Sequence, residues 1–355
     1  MPPSPLTIIH VVFSSRIAGG EQYCIDLAHA QAALGHRVHV IGPSRSQIPA
    51  VLDDKVSYHG LALPLLRSWR VHRLAQSLGA DVVHGHLGPA CKATARSGAP
   101  AKVGTLHVGY KPHQHAALDG LVCVNQSQPS QLQGFDGRHK VIHNWAPARS
   151  TPQSDRGLRD ELGLHAGQLL IGCLGRLHSS KGTDLLVKAF RQYAPDDAVL
   201  AIIGEGKQRA ELERLAAGDK RIHLVGYRRD VPAVLDSLDL FVSPSREETF
   251  GLAILEAMQA GLPIISTATE GPLEVLRDQP AQLVPVNDAP ALGRAVRLAL
   301  APLRGGLHGK RERVRYDTRG YDRAHAVRQM QNFYADLLTA RVQTRTMPGI
   351  VPAHA

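Results

Sequence analysis

The sequence predicts an α/β protein made of two successive parallel-sheet units. Three observations predict it. Short apolar runs of strand length alternate with segments of helical spacing along nearly the whole chain. The alternation breaks once, across a polar, breaker-rich stretch at residues 147–156. And 355 residues with 43% hydrophobic content suffice for two cores, which must rest on Val, Ile, Leu and Ala because aromatics make up only 5%.

In chain order, residues 7–13 read as a first buried strand, and residues 21–34 as a helix that Gly35 stops. Strands follow at 37–41, 81–84, 102–106 and 120–124, and 141–144 ends the first half. Residues 61–79 read as a helix in which Leu65, Leu66, Trp69, Val71, Leu74 and Leu78 mix with Arg67, Arg70, His72 and Arg73. That mixture suits either a lipid surface or an ordinary helix packed on its own sheet. The second half repeats the pattern with strands at 169–174, 198–203, 222–225, 240–242, 263–266 and 282–284. A closing helix at 321–340 carries Ala326, Met330, Phe333, Leu337 and Leu338 on helical spacing. The expected organisation is therefore an N-terminal domain, 1–147, on which helix 321–340 packs back, then a C-terminal domain, 157–320, and a loose tail, 341–355. Ligands of such units gather at the carboxyl ends of the strands, here in a cleft expected between the two domains.

Charge and cysteine usage narrow the class. A net charge of +10 favours anionic partners, but there is no dense basic run interleaved with aromatics, so nucleic acid is not expected. Cys24, Cys91, Cys123 and Cys173 lack the spacing of a metal or redox motif and read as reduced core residues. The first apolar run is too short for a signal peptide, and no stretch approaches a membrane span, so a cytosolic protein is expected.

Three motifs carry chemistry. The first follows strand 240–242: Pro244-Ser-Arg-Glu-Glu-Thr-Phe-Gly, then a helix starting near Gly251. Glu248 sits in the loop and Glu256 about one turn into the helix, flanking a helix N-terminus suited to phosphate. Two carboxylates beside a phosphate site are costly unless they hold something polar, and sugar and ribose hydroxyls fit. The second motif is Gly175-Arg-Leu-His-Ser-Ser-Lys181-Gly, whose cations can neutralise a departing diphosphate. The third, Gly19-Gly20-Glu21, opens the first helix and lets a backbone approach an anion, without the G-x-G-x-x-G of dinucleotide enzymes. Histidines end two N-terminal strands: His84 and His86, and His107. No third ligand could be named for a metal beside the first two, so no metal site is expected, and polar lining and structural roles both stay open.

The paired glutamates eight apart with Phe-Gly after the first, together with the Arg-Lys loop, resemble glycosyltransferase family 4. The resemblance runs over about residues 7–340 and is densest over 172–274. It implies a GT-B architecture, two Rossmann-like domains facing across a cleft, and a retaining hexosyl transfer without metal, consistent with the absence of an Asp-x-Asp triplet. It implies that Glu248 holds the transferred sugar and that His107 reaches the donor sugar or the reacting centre. It places Gly19, Gly20, Arg176, Lys181, Gly204, Tyr227, Phe250, Gly251, Leu252 and Glu256 around the donor nucleotide, and Glu21, His84 and His86 nearer the acceptor. The partners implied are a nucleotide-diphosphate sugar, a UDP-sugar before a GDP-sugar, and a glycan or lipid-linked acceptor of lipopolysaccharide or exopolysaccharide type; the basic charge and the segment 61–79 add an anionic inner membrane face as a further expected partner. No cofactor is expected. A nucleotide-sugar epimerase or a phosphorylase of the same fold, and a nucleotide-sugar or nucleic-acid binding protein without catalysis, are the rivals. Two departures from the family pattern stand out: His143-Asn-Trp145 where Pro-Asn-Gly is common, and Gly271-Pro-Leu-Glu274 in place of Gly-Gly-x-x-Glu.

Overall fold

The computed structural model describes residues 4–63, 65–145, 157–165, 167–305 and 313–346; the expected linker lies outside them. In chain order the elements are β1 (Thr7–Val12), α1 (Gly19–Ala33), β2 (Arg37–Pro43), β3 (Val56–Leu61), α2 (Arg67–Ser77), β4 (Val82–His86), α3 (Gly88–Thr94), β5 (Ala101–Leu106), α4 (Pro112–His115), β6 (Gly120–Cys123) and β7 (Arg138–Val141). There follow α5 (Leu158–Glu161), β8 (Leu169–Leu174), α6 (Thr183–Tyr193), β9 (Ala198–Ile203), α7 (Arg209–Ala216), β10 (Ile222–Gly226), α8 (Val231–Ser237), β11 (Leu240–Ser243), α9 (Leu252–Gln259), β12 (Ile264–Thr267), α10 (Glu270–Val275), β13 (Gln282–Val284), α11 (Ala289–Leu300) and α12 (Arg323–Thr346). The chain divides into two compact units, Met1–Asn144 with Tyr321–Ala355, and Trp145–Gly320.

Each unit is a parallel sheet with helices on its faces. The order in the first is β3-β2-β1-β4-β5-β6-β7 and in the second β10-β9-β8-β11-β12-β13. In both, the winding direction reverses beside the first strand, between β1 and β4 and between β8 and β11. In open parallel sheets such a point is where ligands bind, at the strands' carboxyl ends. In the first unit Val12, Val38 and Val40 pack under α1 with Cys24, Ile25 and Ala28. On the sheet's other face Ile9, Val11 and Val83 meet Val71, Ala75 and Ala90 of α2 and α3. In the second unit Ile171, Leu200 and Ile202 pack against Leu186 and Phe190 of α6 and Leu292 and Val296 of α11. All four cysteines are free and buried.

Two expectations are corrected. The basic-apolar segment does not start its helix at residue 61: Leu66 adopts φ +57°, and α2 begins at Arg67. The loose tail does not begin at residue 341, because α12 runs on to Thr346 and Arg341 donates to the carbonyls of Ala99 and Pro100 at 3.0 and 2.8 Å. Val327, Met330, Phe333, Tyr334 and Leu337 are the buried face of α12. That face lies so close on β6 that a Cβ on Gly120 would meet Phe333 and Leu337 at under 3 Å.

Candidate active site

In the second unit the loops after β8 and β11 are built onto one another. Gly182 has φ +62°, and a Cβ there would stand 2.0 Å from the carbonyl oxygen of Pro244. The Ser180 carbonyl accepts from the amides of Arg246 and Glu247 at 2.8 and 3.1 Å. Arg246 forks onto both carboxylate oxygens of Asp184 at 2.7 and 2.8 Å and reaches Asn287 at 2.7 Å. The fork holds the Asp184 carboxyl below its ordinary range. This frame brings the Lys181 ammonium onto Glu248 Oε2 at 2.5 Å. Beside it Gly251, at φ +98°, caps α9. Among the described residues the amides of Leu252 and Ala253 open the helix without backbone acceptors, at the positive end of its dipole. Phe250 beneath is 3% exposed.

Glu256 lies one turn into α9, half-buried, and among the described residues its carboxylate takes no hydrogen bond or ion pair. Burial alone pushes its pKa up to about 7. Arg176, just past β8, is exposed. At the end of β9, a Cβ on Gly204 (φ +137°) would stand 1.9 Å from the Gly175 carbonyl oxygen, so this loop too is pressed backbone to backbone against the Arg176 turn. Tyr227, after β10, is 57% exposed.

In the first unit Gly19 and Gly20 are the first turn of α1, and a Cβ on Gly20 would rest 3.5 Å from the His107 ring. Glu21 is buried and accepts from the Ala18 amide at 3.0 Å, capping its own helix. His84 and His86 are fully buried. His84 shares hydrogen bonds with Tyr334 Oη at 2.6 Å and Thr105 Oγ1 at 2.7 Å. His86 meets His10 Nδ1 at 2.9 Å and His107 Nε2 at 3.3 Å. Burial lowers the pKa of His10 and His107 to about 4 and those of His84 and His86 well below the ordinary value.

Comparison with known proteins decides the family. Residues 17–147 match the model described as Glycosyltransferase Family 4, and residues 168–301 match the model described as Glycosyl transferases group 1. The two matches leave residues 1–16, 148–167 and 302–355 outside. The chain belongs to the family 4, group 1 glycosyltransferases. The lipopolysaccharide core biosynthesis mannosyltransferase LpsB of Rhizobium meliloti is 29% identical over 273 residues, 72% of this chain and 75% of that one. Among solved structures, a glycosyltransferase from Rickettsia africae has a TM-score of 0.77 at 19% identity, covering 94% of this chain and 99% of the other. Anabaena HepE in complex with UDP-glucose has a TM-score of 0.73 at 19% identity, covering 96% and 99%. These likenesses establish the GT-B fold.

In this glycosyltransferase the structure gathers Lys181, Glu248, Phe250, Gly251, Leu252 and Glu256 around the β8/β11 switch point, and Gly19, Gly20 and His107 at the N-terminus of α1. Glu21, His84 and His86, expected nearer the acceptor, are buried, Glu21 with one carboxylate oxygen on the Ala18 amide and both histidines hydrogen-bonded inside the unit. Two functional neighbours escaped the sequence reading. The Asp184–Arg246 fork joins residues 62 positions apart, and no local pattern announces it. His10 supplies the third histidine beside His84 and His86, with ring nitrogens of the three within 4.8 Å of one another. Its signal was the one ionisable residue in the apolar run of β1, opposite His84 in register.

Proposed function

We propose that this glycosyltransferase transfers a hexosyl group with retention of configuration, and without a metal ion, from a UDP-sugar to a glycan or lipid-linked acceptor in lipopolysaccharide or surface-polysaccharide synthesis. The observation that carries the reading is the Lys181–Glu248 pair at 2.5 Å beside the open N-terminus of α9. A cation and a helix end suit a diphosphate, and the carboxylate held next to them suits sugar hydroxyls. Arg176 adds a second cation. Glu256, uncompensated, suits the ribose diol, with Phe250, Gly251 and Leu252 along the phosphates and Gly204 and Tyr227 toward the nucleotide.

In the mechanism that fits, the donor diphosphate leaves from the same face that the acceptor hydroxyl attacks. The leaving oxygen takes up the hydroxyl proton, Lys181 and Arg176 balance the charge, and Glu248 steadies an oxocarbenium-like sugar. His107 serves the reacting centre. UDP-glucose bound to HepE supports a nucleotide-sugar donor, and LpsB supports a lipopolysaccharide acceptor. Leu65, Leu66 and Trp69 stand exposed around Arg67, Arg70 and Arg73, which suits an anionic membrane face where such acceptors sit.

The test uses purified full-length protein with a panel of nucleotide sugars, with and without chelator. Glu248→Ala and Lys181→Ala each lower transfer by at least about a hundredfold in folded protein, consistent with loss of one preorganised charge. Full activity in both variants, or activity only with added magnesium or manganese, overturns the mechanism. Epimerised donor in the absence of acceptor would identify the rival reaction.

A further inference from the structure

Beneath the first turn of α1 runs a continuous chain of hydrogen bonds that the transfer mechanism does not use. It starts at Gln31, fully buried in α1. Gln31 Oε1 lies 2.7 Å from His10 Nε2, and Gln31 Nε2 lies 3.5 Å from Tyr334 Oη. His10 Nδ1 meets His86 Nε2 at 2.9 Å, and His86 Nδ1 meets His107 Nε2 at 3.3 Å. A second branch runs from Tyr334 Oη to His84 Nδ1 at 2.6 Å and from His84 Nε2 to Thr105 Oγ1 at 2.7 Å. Three strands and two helices, β1, β4, β5, α1 and α12, contribute to it or to the loops that follow them.

A neutral imidazole has one N–H and one bare nitrogen, so in a chain of neutral rings the polarity of one bond fixes the next. The amide oxygen of Gln31 can only accept. His10 therefore carries its proton on Nε2 and leaves Nδ1 bare. His86 must then donate from Nε2, which leaves its Nδ1 bare. His107 must donate from Nε2 to His86. What remains is His107 Nδ1, without a proton and without a hydrogen bond among the described residues. The second branch agrees in direction: the Gln31 amide N–H donates to Tyr334, the Tyr334 hydroxyl donates to His84 Nδ1, and His84 Nε2–H donates to Thr105. Burial keeps the four rings uncharged at neutral pH, and among the described residues no carboxylate is hydrogen-bonded to any of them.

We propose that Gln31, His10 and His86 are positioning residues that hold His107 in the Nε2–H tautomer, so that His107 offers a hydrogen-bond-accepting Nδ1 to the sugar or acceptor hydroxyl at the reacting centre. The role of His107 rests on the functional reading above; the tautomer does not. Rotating the Gln31 amide by half a turn reverses every bond in the chain and turns His107 Nδ1 into a donor. The amide of one residue, two histidines away, thus decides whether the reacting centre meets a base or an acid. The nitrogens of His10, His84 and His86 are also close enough to share a cation. But each of these nitrogens already has a partner, and a buried dication would find no carboxylate among those partners to balance it.

Nitrogen NMR of the histidine rings in the full-length protein reads the tautomer directly, with the His107 resonances assigned by their loss in His107→Asn. The expected spectrum has a pyrrole-type Nε2 and a pyridine-type Nδ1 at His107. Gln31→Glu keeps an acceptor opposite His10 and keeps that tautomer. Gln31→Met removes it, mixes the two His107 forms, and lowers kcat by at least about tenfold with the donor KM within about twofold, as expected for an acid–base contribution rather than binding. An Nδ1–H tautomer at His107, an unchanged spectrum in Gln31→Met, or bound metal found by elemental analysis with shifted His10, His84 and His86 signals each overturns the proposal. If Gln31→Met does not fold, the wild-type and Gln31→Glu spectra decide alone. Full transfer activity in His107→Asn instead overturns the functional role of His107 and leaves the tautomer result standing.

Discussion

Glu256 shows how one side chain can report on its ligand. Its carboxyl group is raised to about 7 by burial, with no hydrogen bond or ion pair among the described residues. A ribose diol placed here, as proposed, would donate hydrogen bonds to the ionised form, so nucleotide and proton would compete for the same oxygens. On the proposed reading, with half-ionisation near pH 7, UDP should bind about tenfold more tightly at pH 8 than at pH 6. UDP ionises in the same range, so the quantity to measure is the difference in calorimetric affinity between the wild type and Glu256→Gln across pH; parallel slopes would remove Glu256 from the nucleotide site. Stability carries the opposite sign. The folded chain holds this proton more tightly than the unfolded one. The stabilising contribution is therefore complete below the ordinary value of 4.5 and is lost as pH rises through about 7. Glu256→Gln should flatten that decline in a urea titration.

At the scale of elements, the loops after β8 and β11 act as one piece because backbone meets backbone at Gly182. An added methyl there meets the Pro244 carbonyl at 2.0 Å, and φ +62° adds left-handed strain. Gly182→Ala must push the two loops apart, and it is expected to cost more than about 2 kcal/mol of stability. Because Lys181 and Glu248 sit on opposite loops, UDP-sugar binding weakens with it; an unchanged melting curve with unchanged donor affinity would show that the loops are not coupled. The same packing explains which elements were legible in advance. Central parallel strands are buried on both faces, so β1, β8, β9 and β11 show themselves as apolar runs. The two strands missed, β3 and β7, are the edges of their sheet: β3 buries only Val56 and Leu61, and β7 reads Arg-His-Lys-Val with no buried residue. Edge strands carry polar residues and escape a search for apolar runs. The motif residues of the site were legible because each lies in the loop after a strand or in the helix that follows it. The Asp184–Arg246 fork and the histidine chain were not, because their partners come together only through strand order.

For the molecule as a whole, the net charge of +10 becomes specific only where it coincides with exposed apolar surface. No described helix is long and apolar enough to cross a membrane. The segment before and along α2 offers a different kind of contact. Leu63, Leu65 and Leu66 are 56%, 70% and 70% exposed and Trp69 54%. Arg73 lies over the Trp69 ring at 5.4 Å and Arg67 over Phe13 at 4.7 Å, so the guanidinium groups sit at the level of the aromatic rings. Meanwhile Val71 and Ala75 hold the opposite face of α2 in the core. One face of α2 is thus spent on the sheet, and the other stands exposed. Each arginine near an anionic surface contributes about 1 kcal/mol, and the leucines and Trp69 add burial in the headgroup region. The full-length protein should therefore sediment with phosphatidylglycerol vesicles and not with phosphatidylcholine vesicles, and about 1 M salt should release most of it as screening shortens to about 3 Å. Trp145 is 3% exposed, so the fluorescence change on binding reports Trp69. A blue shift is expected in the wild type and none in Trp69→Phe. Leu65→Ser with Leu66→Ser should weaken vesicle binding without changing the rate of transfer to a soluble acceptor, because both side chains stand exposed and belong to none of the donor motifs. Equal binding to neutral and anionic vesicles, or undiminished binding in the double variant, would assign this surface to something other than a charged lipid face.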